Sequence, residues 1–172
     1  DKLTADAKIT AIIKDGEMLD SIMPGEEATV FTDKTVFYGE SGGQAGDRGT
    51  LSANGLNCTV NDTIKYSEGK IGHKIKVEKG VLSTGDTVTL KVDEKRRMAT
   101  ARNHSATHLL QKALKSVLGD HVNQAGSYVT DERLRFDFSH FEAMTIDEIK
   151  KAEQIVNDAI FASYDIKCEY MD

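Results

Sequence analysis

The chain has no tryptophan, a single proline and two cysteines among its 172 residues, and aromatic residues make up only 6% of it. Each shortage narrows the reading. Cys58 and Cys168 have no C-x-x-C spacing and no secretory context, which favours a reduced, cytoplasmic setting over a disulfide. The lone proline sits in the Met23-Pro24-Gly25 turn, and no long linker, low-complexity segment or internal repeat accompanies it. Few aromatics interleave with the basic residues, so base stacking is not indicated. No apolar run approaches the length of a bilayer span, and the N-terminus has no signal-peptide pattern. A net charge of −6 argues against nonspecific nucleic-acid binding by the whole surface, while leaving room for a local basic stripe.

What is present fits a soluble globular chain of one domain or two small intimate ones: 39% hydrophobic and 29% charged residues. The first residue is Asp1, so a piece of a longer chain is expected. The first half reads as β-rich. A strand and turn run over Ala7–Leu19, with the turn at Asp15-Gly16. Further strands are expected at Ala28–Tyr38, Cys58–Tyr66, Lys70–Val77 and Thr87–Val92, separated by glycine-bearing turns. Short strands at this spacing suggest a small barrel.

The period then changes. Asp93 caps a helix expected to reach about Leu118 and stop at Gly119, with Ala106, Leu109, Leu110, Ala113 and Val117 as its stripe. Strands are expected at Val122–Val129 and Arg133–Phe138. Thr145 and Glu148 have capping-box spacing, with a Met144/Ile149 staple, ahead of a helix burying Ile149, Ala152, Val156 and Ala159/Ile160. A final strand is expected over Asp165–Met171.

Two stretches can carry chemistry. His104 and His108 lie four apart on the first helix and project from one face, as two metal ligands would. Ser105 replaces the glutamate of an H-E-x-x-H protease, so that reading fails. Small neighbours leave space for a ligand. The second stretch, Phe37 to Gly49, holds four glycines within eight residues, but it is neither a P-loop nor a dinucleotide fingerprint. Alone it reads as a tight barrel turn, or as a backbone surface for an anion or carbonyl. Lys95, Arg96, Arg97 and Arg102 form a basic stripe that is either a solvated helix face or a set of phosphate contacts guiding an RNA end. His73, His121 and His140 are scattered singly, and surface or packing roles are expected. Cys168 reads as a half-buried strand residue.

Taken together, Phe37-Tyr38-x-Glu40-Ser41-Gly42-Gly43-Gln44-x-Gly46-Asp47-x-Gly49, His104-Ser105-Ala106-Thr107-His108-Leu109-Leu110, Val122-Asn123-Gln124-Ala125-Gly126-Ser127 and Leu134-Arg135-Phe136-Asp137-Phe138-Ser139-His140 resemble the editing domain of alanyl-tRNA synthetases. The resemblance runs in order over most of the chain. It implies hydrolysis of serine or glycine wrongly esterified to alanine tRNA, in a parent enzyme that ligates alanine with ATP. An alanine pocket separates such close neighbours by only about 1–3 kcal/mol, so a second, hydrolytic sieve is needed.

The resemblance also implies the site. Zinc is held by His104 and His108, with a Cys-x-x-x-His pair expected beyond Asp172. Thr107 and Gln124 are the catalytic residues lining the pocket. Ser41, Gly42, Gly43, Gln44 and Gly46 bind substrate along one wall. The acceptor end of tRNA(Ala) and the remainder of a synthetase chain are the expected partners, with no membrane. The fold expected is α+β: a small β-barrel over 1–92, then an α/β sandwich over 93–172, truncated at its C-terminus, with the long helix across its sheet. Such truncation invites a non-native dimer. A free-standing editing hydrolase, the related threonyl-tRNA synthetase domain and a noncatalytic tRNA-binding module are the rival readings.

Overall fold

The barrel is built by alternation. In β1 (Thr4–Lys14), Ala7, Ile9 and Ile12 are buried between more exposed neighbours, and β6 and β9 repeat the pattern. A strand with one apolar row must turn that row onto others like it. The computed structural model describes residues 2–166. In it the apolar rows meet in the order β1, β4 (Glu27–Thr32), β7 (Ile71–Lys79), β6 (Leu56–Lys65), β5 (Gly49–Ala53) and β9 (Thr87–Val92). Pairing of β9 with β1 closes a six-stranded antiparallel barrel. Closure leaves these strands no free edge. β2 (Glu17–Leu19) folds back on β1 around Asp15-Gly16, and β3 (Ser21–Ile22) pairs with β8 (Leu82–Ser83) outside the barrel. Ile12, Val30, Leu51, Val77 and Leu90 fill the interior.

Two expectations for this half need correction. The strand expected over Ala28–Tyr38 stops at Thr32, where Asp33 is tied to Lys8 of β1: its carboxylate accepts the Lys8 amide at 2.8 Å and its own amide donates to Lys8 O. Phe37 is buried from a loop instead. β5, unforeseen, follows directly from the glycine-rich segment.

Of the surface or packing role expected for His73, the structure gives packing. His73 is fully buried in the barrel, with Phe37 edge-on at 5.3 Å. Its Nδ1 lies 3.0 Å from the Val30 carbonyl, which can only accept, so Nδ1 carries the proton. Nε2 then accepts from the Thr35 hydroxyl at 2.8 Å, and the same hydroxyl oxygen accepts the Phe37 amide. Burial lowers the pKa of this imidazole.

The second unit begins where β9 ends. Asp93 accepts the Arg96 amide and caps α1 (Glu94–Leu118), which stops at Gly119. The hairpin of β10 (Gln124–Val129) and β11 (Leu134–Phe138) and the helix α2 (Ile146–Ala162) pack on α1. The Thr145/Glu148 capping box forms in full. Ala113, Leu114, Val122 and Ala152 make the small core, joined by Leu110, Val117 and Val156. Among the described residues this unit is two helices and one hairpin. Part of α2 is uncovered among the described residues: Ile149 and Ile160, expected to be buried, are 50% and 51% exposed. The strand expected over Asp165–Met171, with Cys168, falls almost wholly outside the described residues.

Candidate functional site

The glycine-rich segment is a two-residue turn clasped from both sides. Ser41 and Gln44 exchange backbone hydrogen bonds at 3.2 and 3.0 Å, with Gly42 and Gly43 between them at φ of 58° and 79°. The Tyr38 hydroxyl lies 3.0 Å from Ser41 O and 2.9 Å from its Oγ, bracing the turn from the barrel side. On the other side the segment docks along β10: Val129 N–H donates to Gly43 O at 2.7 Å and Ala45 N–H to Val129 O at 2.9 Å. A side chain at Gly43 would run into the Ser127 backbone carbonyl, so the close approach itself requires glycine. Gly46 has the same requirement against the Thr63 carbonyl of β6.

α1 supplies the third wall. Its two histidines lie on one face, with ring centroids 5.2 Å apart and planes inclined by 30°. His104 is half-buried, and its Nδ1 sits 2.6 Å from Gln44 Oε1; His108 is exposed. The pair could supply two donors to a metal. Among the described residues no group of three or more His, Cys, Asp or Glu comes together. Gln124, at the start of β10, is exposed and donates to Ser127 Oγ at 3.0 Å, beside the point where Gly43 docks. Thr107 is buried, and its hydroxyl donates to Asn103 O, one turn back, leaving its oxygen free to accept. Asn103 in turn reaches the Thr130 carbonyl. The turn, His104 and β10 are thus joined by hydrogen bonds, although Gln44 and His104 are 60 residues apart in sequence.

The basic stripe divides. Arg97 is nearly buried and pairs with Asp47: its Nε lies 3.0 Å from both carboxylate oxygens, and its Nη2 contacts Oδ2 and donates to Val36 O at 2.8 Å. That hydrogen bonding raises the guanidinium pKa further. Arg96 bridges to Asp131 in the β10–β11 turn at 3.0 Å. Both arginines therefore brace α1 against its neighbours. Lys95 and Arg102 are exposed, with no ion pair among the described residues. A polar cleft of about 430 Å³ adjoins the site, lined by both signs of charge: Arg48, Arg96 and Arg133 with Glu40, Asp62, Asp131 and Glu132.

Asp47 was missed as a keystone. Its only sequence signal is a carboxylate set among glycines, with a run of cations far downstream. His121 and His140, for which surface or packing roles are expected, meet at 2.9 Å, with Phe141 stacked on His121.

The family model described as tRNA synthetases class II (A) matches residues 1–96. An alanine–tRNA ligase of Carboxydothermus hydrogenoformans is 49% identical over 170 residues, which is 99% of this chain and 20% of that protein. An alanine–tRNA ligase of Bacillus mycoides is 48% identical over 164 residues, 95% of this chain and 19% of that protein. The chain belongs to the family described as tRNA synthetases class II (A), and it spans about a fifth of the length of the alanine–tRNA ligases it matches.

Proposed function

We propose that this segment is the proofreading unit of its parent ligase, hydrolysing serine or glycine esterified to tRNA(Ala). The observation that carries the reading is that the Ser41–Gln44 turn touches two other motifs: Gln44 Oε1 reaches His104, and Gly43 packs on Ser127 of β10, the residue that Gln124 bonds. The Gln44–His104 contact reaches from the barrel's turn to a helix 60 residues on. A site that must hold a small aminoacyl group calls for rigid polar atoms from several elements.

The imidazoles fit a zinc ion as two of its usual four donors. They share a helix face, and one has its second ring nitrogen fixed by an amide oxygen, as metal-bound histidines commonly do. In this proposal two further donors, a Cys-x-x-x-His pair, come from sequence downstream. When bound, the ion supplies Lewis acidity towards the ester carbonyl or an attacking water.

The chain's own residues do the rest. The Gly42–Gly43 backbone closes one wall near the aminoacyl group. Gln124 offers amide atoms at the pocket edge, and the Thr107 oxygen accepts from the substrate's amino or hydroxyl group. Lys95 and Arg102 meet phosphates of the acceptor end, with Arg96 beside them. Ligation of alanine with ATP belongs, on this reading, to other parts of the parent protein.

The test is release of serine from seryl-tRNA(Ala) by the protein with its downstream sequence, compared with its His108→Ala variant. Loss of most hydrolysis is expected. Equal rates would refute the assignment.

A further inference from the structure

We infer that Gln44 is a positioning residue for His104, and that the whole glycine-rich turn exists to present its carboxamide. This deepens the proofreading reading and rests on it for the use to which His104 is put.

The argument begins with the atoms. Gln44 Oε1 lies 2.6 Å from His104 Nδ1. An amide oxygen only accepts, so Nδ1 must carry the proton. A neutral ring then keeps its lone pair on Nε2, where nothing among the described residues hydrogen-bonds it. Free histidine in water favours the opposite tautomer, so the contact selects a form the ring would not choose alone. The amide is neutral. It orients the ring without the added basicity a carboxylate would confer.

The second observation is how firmly Gln44 is held. Its backbone closes the turn with Ser41 in both directions, and Ala45 and Gly43 are bonded to Val129 on either side of it. The Tyr38 hydroxyl fixes Ser41 from the barrel. Gly43 is pressed so closely on Ser127 that no side chain fits. With both flanking residues anchored, the Gln44 side chain has one base from which to reach α1. The turn is therefore the part through which the barrel acts on the site: it sets the face His104 shows to a metal or a proton donor.

The experiment is a two-bond proton–nitrogen correlation on protein labelled with 15N-histidine, without metal or tRNA, above the titration range of the rings. His104 is assigned by its loss in His104→Gln. The wild-type ring is expected as the Nδ1–H tautomer. Gln44→Met, which removes the acceptor at similar volume, should shift it towards Nε2–H, and Gln44→Glu should restore Nδ1–H. A wild-type ring in the Nε2–H form, or the same tautomer in Gln44→Met, overturns the inference. The Ala45 and Val129 amides report whether the turn stays docked; where Gln44→Met undocks it, the wild-type tautomer and Gln44→Glu decide. The readout needs neither substrate nor metal, so it can fail while the hydrolysis assay succeeds, and the reverse.

Discussion

Removing the Asp47 carboxylate should unfasten α1 from the barrel, and the size of the effect follows from its surroundings. The Asp47 and Arg97 side chains are 7% and 13% exposed. The carboxylate accepts from Arg97 and from the Tyr38 amide at 2.6 Å, while Arg97 also holds the Val36 carbonyl. An exposed ion pair of this kind would contribute at most about 1 kcal/mol. Burial changes the sign of the problem. Asp47→Ala leaves a guanidinium out of water without its counter-charge, at a cost of about 3–5 kcal/mol. Arg97→Ala leaves the carboxylate and the Val36 carbonyl under-satisfied and should cost about as much. The double variant strands neither charge, so its loss should resemble one single variant rather than the sum, a coupling of roughly 3 kcal/mol, the upper end for contacting residues. Asp47→Asn keeps an oxygen for the Tyr38 amide and should lose less. Urea denaturation with a common slope measures all four. Additivity within about 0.5 kcal/mol would refute the argument, because it would mean that both groups stay hydrated and the helix is docked by something else.

Other perturbations follow from single contacts. Gly46→Ala sets a methyl against the Thr63 carbonyl, a backbone atom that cannot swing away. It should cost at least the upper end of the roughly 1–3 kcal/mol typical of overpacking, seen as a lower urea midpoint. His73 is buried with its pKa below 6.5, so the unfolded chain binds the extra proton first as acidity rises. Its contribution is flat above about pH 7 and falls as pH drops through 6.5, by up to about 1.4 kcal/mol per unit until the lowered native value is reached. The difference in denaturation midpoint between wild type and His73→Gln across that range checks both sign and window. Burial pushes the Cys58 thiol up to about 11. Native protein should therefore resist alkylation at Cys58 at neutral pH and react on unfolding; equal labelling rates in water and urea would contradict the burial.

Local signals carried the sequence reading where the structure is local. The Asp93 cap, the Gly119 stop and the Thr145/Glu148 box are short-range chemistry, and both helices lie where those residues place them. The hairpin around Asp15-Gly16 and the strand Thr87–Val92 likewise follow from turn residues and alternation. The strand run past Thr32 failed for a non-local reason: Asp33 bonds Lys8, 25 residues away, and no pattern of apolar residues announces that. Ile149 and Ile160 matched a helical stripe, but a stripe states only which residues could be covered. Coverage depends on what packs against that stripe, and among the described residues α2 packs chiefly on α1.

The site shows the same division more sharply. The residue types were legible: histidines at helical spacing, glycines crowded into a turn, cations in a run. Their pairings were not. Arg97 reads in sequence as a phosphate contact, yet 50 residues earlier a carboxylate sits among glycines and takes it into the interior. Gln44 reads as a substrate ligand, yet it bonds a histidine 60 residues on. Each pairing exists because barrel closure brings the segment before β5 to the start of α1, and closure is decided by six strands together. A charge or an amide in such a chain therefore has no role until the fold assigns it a partner. Of the cations in that run, this leaves Lys95 and Arg102 exposed and unbridged among the described residues. Under the proposed function, charge reversal at those two positions should weaken tRNA binding and lower its salt dependence by about one unit of slope per lost contact, whereas reversal at Arg97 should unfold the junction first.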